Sequence, residues 1–173
     1  MTNLQFIEKF TIQNSTSAFS CDNVLTDAYD IYCIVSNNIK LVGTTQTNLS
    51  MRFLDSSGNA ITGANDYGYA VRSTPANTAF VNSTDGSGSL ILNAFGKDDG
   101  NEGASAVIYL FNPANASEYT YGLFQSIGDN GTNVETYKGI CLYPTQATVR
   151  GFQVLETASR PFDEGTISVY GVR

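Results

Sequence analysis

Carboxylates are the residues of this chain best able to do acid–base chemistry, because the sequence contains no histidine. Without an imidazole, Ser-His-Asp and Cys-His sites are excluded, and the usual transition-metal ligand is missing. Asp98, Asp99 and Glu102 lie close together in sequence, and Asp163 and Glu164 form a second group. Paired carboxyl groups could serve a glycosidase, but adjacent acidic residues near glycines are most often solvated loop residues. We therefore expect no enzyme activity and no catalytic residue.

Residues 98–102, DDGNE, also combine oxygen ligands with the glycine that calcium loops use. They lack the alternating aspartates and the distal glutamate of a calcium-binding loop. We expect neither a metal nor another cofactor.

The aromatic residues, ten tyrosines and ten phenylalanines, are the second source of chemistry. Aromatic rings stack on sugar rings, and tyrosine also contributes to protein interfaces. Four tyrosines lie near predicted turns or at alternating positions and are candidate contacts for a glycan or a protein partner: Tyr67, Tyr69, Tyr119 and Tyr121. The alternative is that these rings fill and rim a β-sandwich, and the absence of tryptophan favours that alternative over a glycan site.

The three cysteines, Cys21, Cys33 and Cys141, are odd in number and include no CxxC pair. Cys33 lies in an apolar strand pattern and is expected to be a small core residue. Cys21 and Cys141 could approach each other across a sandwich, but free thiols are the expectation for a protein folded in a reducing cytoplasm.

Composition and charge narrow the class of protein. The 173 residues fit a single domain spanning residues 1–173, and charged residues make up only 14%. Nine basic and sixteen acidic residues give a net charge of −7, which disfavours nucleic acid as a partner. No apolar run is long enough to span a bilayer, so we expect no membrane partner either.

The clearest structural element is a predicted β-hairpin at residues 49–69. Leu49, Met51 and Phe53 alternate with polar residues, as in a strand with one buried face. Asp55 and Gly58 then have the positions expected in a type I turn followed by a left-handed residue.

Further strand patterns recur along the chain at the spacing of sandwiches and barrels. Residues 4–13 place Leu4, Phe6, Phe10 and Ile12 on one face, interrupted by Glu8. We expect an edge strand or a strand that ends over a polar interface. Residues 104–111, ASAVIYLF, are apolar on both faces and predict a central strand covered on both sides. Residues 74–88 and 96–103 are expected to be surface loops. About ten strands are predicted, which indicates an all-β, antiparallel, jelly-roll-like β-sandwich.

Six segments carry a resemblance to a known group of proteins, and they cover most of the chain. They are YDIYCIV (29–35), LSMRFLDSSGNAIT (49–62), DYGYA (66–70), IYLFNPANASEYT (108–120), KGICLYPTQATVRGFQVL (138–155) and GTISVYGVR (165–173). In this order they resemble small jelly-roll-like virion structural proteins of tailed phages of marine and freshwater bacteria, including cyanophages. None of these segments is a catalytic fingerprint.

The resemblance implies a non-enzymatic virion protein, assembled in the host cytoplasm and exposed on the particle as a capsid decoration, cement or head-fibre subunit. Its expected partners are other virion proteins, either the major capsid protein or tail proteins. It also implies a homo-oligomer, with a trimer as the first expectation. The alternative is a tail-fibre or adhesin module that binds host surface polysaccharide. A bare module of this kind would gain avidity from many copies.

Overall fold

The computed structural model describes residues 3–13, 16–43, 47–75, 81–87, 89–95, 103–129 and 134–173. These residues form twelve β-strands, and none of them lies in a helix. In chain order, the strands are β1 (Leu4–Gln13), β2 (Ala18–Cys21), β3 (Ile31–Ile39), β4 (Thr47–Leu54), β5 (Tyr67–Pro75), β6 (Val81–Ser87), β7 (Leu90–Phe95), β8 (Ala104–Phe111), β9 (Thr120–Asp129), β10 (Val134–Tyr143), β11 (Gly151–Glu156) and β12 (Glu164–Val172).

The strands form two antiparallel sheets. The large sheet has the order β1-β12-β3-β8-β9-β10-β5-β6, and the small sheet has the order β2-β11-β4-β7. Every strand pair in both sheets is antiparallel. The predicted all-β sandwich is therefore confirmed, and the architecture is consistent with a jelly-roll-like fold.

Two strands were not predicted from the sequence. The short strand β2 lies at one edge of the small sheet, and β6 occupies part of residues 74–88, where we expected a surface loop. The expectation of a loop was wrong for β6. Its sequence, VNSTDGS, is polar and contains glycine, but a strand at a sheet edge pairs on one side only and tolerates such a sequence.

The core lies between the two sheets and contains residues of both. Near its centre, Phe53 of β4 packs edge-on against Tyr67 of β5 and Tyr143 of β10, with ring centroids 5.6 and 6.1 Å apart, respectively. Alternation of side chains along β9 is regular, with every second residue buried from Thr120 to Gly128. The period-2 pattern thus gives each strand of the large sheet an inner face and an outer face. The single-domain expectation stays a prediction.

The predicted turn after β4 is present, but the segment is not a hairpin within one sheet. Gly58 donates its N–H to the Asp55 carbonyl at 2.9 Å and has φ of 86°, as a left-handed glycine should. Beyond the turn, Ala60 makes only an isolated bridge to Leu54, and the chain then crosses to the large sheet as β5. The buried Tyr67 hydroxyl holds this crossover, because it accepts the N–H of Phe53 at 2.8 Å and donates to the Ile61 carbonyl at 3.1 Å.

Candidate functional site: an apolar band on the large sheet

The outer face of the large sheet carries two aligned rows of apolar side chains across seven strands. The strand registers place these residues side by side from β1 to β5. The first row is Leu4, Val172, Ile31, Phe111, Tyr121, Leu142 and Gly68. The second row is Phe6, Tyr170, Cys33, Tyr109, Leu123, Ile140 and Ala70. We call these fourteen residues the apolar band.

Much of the band is exposed to solvent. Phe6 is 57% exposed, Ile140 55% and Leu123 49%. Among the described residues, eleven large hydrophobic side chains are exposed, and nine of them lie on this one face. The other two are Val42 and Tyr119. Scattered apolar side chains are normal on a protein surface, but their concentration on one sheet face indicates a surface that another molecule covers.

A β-bulge in β1 produces one end of the band. The register shifts between Phe6 and Glu8, so Phe6 pairs with Tyr170 whereas Phe10 pairs with the buried Ile167. The extra residue moves Leu4 and Phe6 to the outer face and leaves Phe10 and Ile12 facing the core. The expectation that these four residues share one face was therefore wrong. The expectation that the strand lies at an edge was correct.

Small residues open a groove at the other end of the band. A cavity of about 480 Å³ lies over β5, β9 and β10, and its lining includes Gly68, Ala70, Leu123 and Ile140. A Cβ atom added to Gly68 would meet nothing within 4 Å, so the space above this residue is open. The band thus combines protruding rings near β1 and β12 with a depression near β5.

Charge is distributed unevenly around the band. The next row along the outer face contains three exposed basic residues, Lys9, Lys138 and Arg72, which we call the basic row. Across β1, β12, β3, β8, β9, β10 and β5, the three rows contain no carboxylate. This composition is unusual for a chain with a net charge of −7.

Carboxylates lie instead beyond the opposite edge of the band. Asp27, Asp30, Asp66 and Glu118 lie in the loops that precede β3, β5 and β9, at the end of the sheet where the first apolar row begins. We call this group the acidic end. Along the strands, the order is therefore acidic end, apolar band and basic row.

The four candidate tyrosines separate into two pairs. Tyr67 and Tyr69 are 1% and 8% exposed and belong to the core, so their rings are not available for stacking on a surface glycan. The expectation that these two tyrosines make surface contacts was wrong. The period-2 alternation of β5 points them inward and places Gly68 and Ala70 outward. Tyr119 and Tyr121 are 41% and 49% exposed.

The cysteines are free and buried, as expected for thiols. Burial raises the pKa of the Cys141 thiol to about 12, and burial also raises the pKa of Cys21. Cys33 differs from the expected core residue because it lies on the outer face, between Tyr109 and Tyr170. Neighbouring residues of the apolar band bury Cys33, and this burial raises the pKa of its thiol.

Of the carboxylates considered for catalysis, the structure describes Asp163 and Glu164. Asp98, Asp99 and Glu102 lie outside the described residues. Glu164 forms an ion pair with Lys40 at 2.7 Å, and the Asp163 N–H bonds to the Lys40 carbonyl at 2.9 Å. Both contacts fix the start of β12. Within the part of the chain that the structure describes, no group of three His, Cys, Asp or Glu residues could hold a metal ion.

The sequence contained a signal for the apolar band that we interpreted differently. Strand β8, ASAVIYLF, lies in the middle of its sheet as predicted, but it is covered on one side only. Ile108 and Leu110 point into the core, whereas Val107 and Tyr109 are 39% and 37% exposed. A strand that is apolar on both faces is expected to be packed on both, and this structure covers only one face of β8.

For the described residues, the structure shows no helix with the length and apolar character needed to cross a membrane.

Comparisons with known proteins give little further information. No family model matches the chain, and no curated protein matches it. A solved structure, "Structure of infectious bursal disease virus Gx strain", is similar at 8% sequence identity with a TM-score of 0.18, over 99% of this chain and 38% of that chain. A TM-score at that level carries no argument about fold or function.

Proposed function

We propose that this protein is a non-enzymatic structural subunit of a phage virion, exposed on the particle as a capsid decoration, cement or head-fibre protein. The observation that carries the proposal is the apolar band. The band contains six of the nine exposed large hydrophobic side chains on this sheet face, and such a face is costly to leave in water and is typical of a protein–protein contact. The order of sequence motifs that resembles small virion proteins gives the class of assembly.

The proposed partners are other virion proteins and further copies of the same chain. A sheet face suits this role because its backbone is already held in register by seven strands, so little order must be gained on binding. Repetition of one contact over many copies on a particle would add avidity.

Quantitative mass spectrometry of purified particles tests the proposal. We expect the protein at many copies per particle when the phage carries the wild-type gene. We expect the Ile140→Lys variant to be depleted from particles, because it places a charge within the band, beside the groove. The Val42→Lys variant is the matched control, since Val42 is exposed outside the band. Absence of the wild-type protein from particles would contradict the proposal.

A second candidate function is an adhesin module that binds host surface polysaccharide. The exposed pair Tyr119 and Tyr121 favours it, because two tyrosine rings lie at the entry to β9. A glycan array with wild-type protein and with the Tyr119→Ala and Tyr121→Ala variants tests this function. Tyr109→Ala removes a third exposed ring and is the control. Saturable binding that needs Tyr119 and Tyr121 but not Tyr109 would support an adhesin.

A further inference from the structure

We propose that the apolar band packs against the same band of a second copy of this chain, across a two-fold axis that runs perpendicular to the strands. This inference rests on the proposed function only in taking the band as an assembly surface, and it names the partner. Strand β8 provides the starting point, because its sequence has the pattern of a strand covered on both faces while this chain covers one. A second sheet of the same kind is the natural cover, since β-sheets pack face to face about 10 Å apart.

The area of the band fits a dimer. Seven strands at about 4.8 Å spacing and two rows of alternate residues give a projected area of roughly 450 Å², and the basic row brings it to roughly 700 Å². Specific interfaces bury about 800 Å² of accessible surface per partner, and a rough side-chain surface has more accessible area than its projection. The band and the basic row together therefore approach what a stable dimer needs.

The charges select the orientation. With the axis parallel to the sheets, across the strands and through the band, Lys138 and Arg72 of each copy lie over the loops before β9 and β5 of the other copy, which contain Glu118 and Asp66, whereas Lys9 lies over the start of β1. Arg72 then faces Asp66 of the second copy, because both residues belong to the β5 side of the sheet. With the axis along the strands, Lys9 of one copy would lie over Arg72 of the other, which is repulsive. The contact about the axis across the strands is isologous, because both copies contribute the same surface, and it forms a closed dimer.

The shape of the surface is compatible with the same contact. Ile140 and Leu123 protrude beside the groove over Gly68 and Ala70. In a sheet-on-sheet contact, protruding side chains of one copy can enter the groove of the other. A glycan is a poorer occupant, because the only side-chain polar groups among the fourteen residues of the band are three tyrosine hydroxyls and the Cys33 thiol.

Sedimentation velocity over a concentration series, up to the solubility limit, tests the dimer. We expect the wild-type protein to reach twice the 18.6 kDa mass of the chain. Ile140→Lys and Leu123→Lys should shift it to the monomer, and Val42→Lys should leave the dimer intact. Circular dichroism melting identifies any variant that fails to fold, and in that case the other band variant decides. A monomer at all concentrations, a trimer, or a dimer that both folded band variants preserve would each overturn the inference.

Zero-length cross-linking between amines and carboxylates tests the orientation on the wild-type protein. A mixture of ¹⁴N and ¹⁵N protein identifies links between copies. We expect links from Lys138 to Asp66 or Glu118 of the other copy. Within one copy, Lys138 and the acidic end are about 20 Å apart along the strands, beyond the reach of such a link. Intercopy links that join other surfaces and omit the acidic end would overturn this orientation.

The two proposals can fail separately. A protein that is abundant in particles but monomeric in solution would keep the proposed function and remove the dimer. A dimer through the band that is absent from particles would keep the interface and remove the proposed function.

Discussion

Asp55 shows how one carboxylate stabilises the turn that ends β4. Its oxygens accept the N–H groups of Asn59 at 2.9 Å and Ser57 at 2.8 Å. These hydrogen bonds, with the Asn59 contribution the largest, lower the pKa of Asp55 below its ordinary value of 3.8. The charged form is therefore favoured in the folded state.

We expect the Asp55→Ala variant to melt at a lower temperature than the wild type at neutral pH. Because the folded-state pKa is lowered, the stabilisation is present above about pH 3.8 and is lost as the pH falls through the folded-state value. Thermal melts between neutral and acidic pH measure the effect, with Ser56→Ala as the control in the same turn. A difference in melting temperature that does not shrink in acid would contradict this explanation.

Cys33 gives a second test at the scale of single residues. Cys33 is 2% exposed although it lies on the outer face, because Tyr109 and Tyr170 flank it. We expect Tyr109→Ala to accelerate its modification by a thiol reagent in dilute native protein, whereas Tyr121→Ala should not. Mass spectrometry of the modified peptide identifies the residue. Equal protection of Cys33 in both variants would show that Tyr109 is not its cover.

At the scale of elements, two glycines in strands of the large sheet have opposite surroundings. A Cβ atom on Gly171 of β12 would lie 2.5 Å from the ring of Tyr29. That ring cannot move freely, since it packs edge-on against Tyr32 at 5.7 Å and lies under the Arg173 guanidinium at 5.4 Å. Gly68 of β5 has open space above it.

We expect Gly171→Ala to lower the free energy of unfolding by about 1–3 kcal/mol, as overpacking of a core does. Gly68→Ala should be neutral or slightly stabilising, because alanine restricts the unfolded chain and meets no neighbour here. Urea denaturation of both variants measures the difference. The reverse order of stabilities would contradict the packing described for β12.

The elements also show which parts of the fold can be predicted from sequence. The strand β4 and the Asp55 to Gly58 turn have local signals, so both were predicted correctly. The expectation of one buried face in β4 was wrong, because Ser50 on the other face is also buried. The bulge in β1 was missed, although Ile7 and Glu8 break the alternation of residues 4–13 at the point where the register shifts.

Of the four candidate tyrosines, Tyr121 belongs to the band. Alternation cannot say which face of a strand is covered. The rest of the band was missed for that reason, and the inward-facing Tyr67 and Tyr69 were proposed instead.

For the whole molecule, net charge and the apolar band act in opposite directions. At pH 7 the charge of −7 keeps copies apart, whereas the exposed band favours their association. The repulsion disappears near the isoelectric point of about 4.3.

We therefore expect a solubility minimum near pH 4.3, detected as turbidity, that is shallower for Ile140→Lys than for Val42→Lys. The two variants change the net charge equally and differ only in whether the new lysine lies in the band. Identical turbidity curves for these variants would show that the band does not drive association.

The pairing of β1 with β12 has a consequence for chain order. The N–H of Arg173 donates to the Asn3 carbonyl at 3.2 Å, so these residues at opposite ends of the sequence are neighbours in space. A short peptide could join them, and the exposed turn at residues 55–58 offers a place to open the chain. A circular permutant of this kind would keep both sheets and the band while placing new termini at that turn. We therefore expect the register between strands, and not the order of the strands along the chain, to determine the architecture.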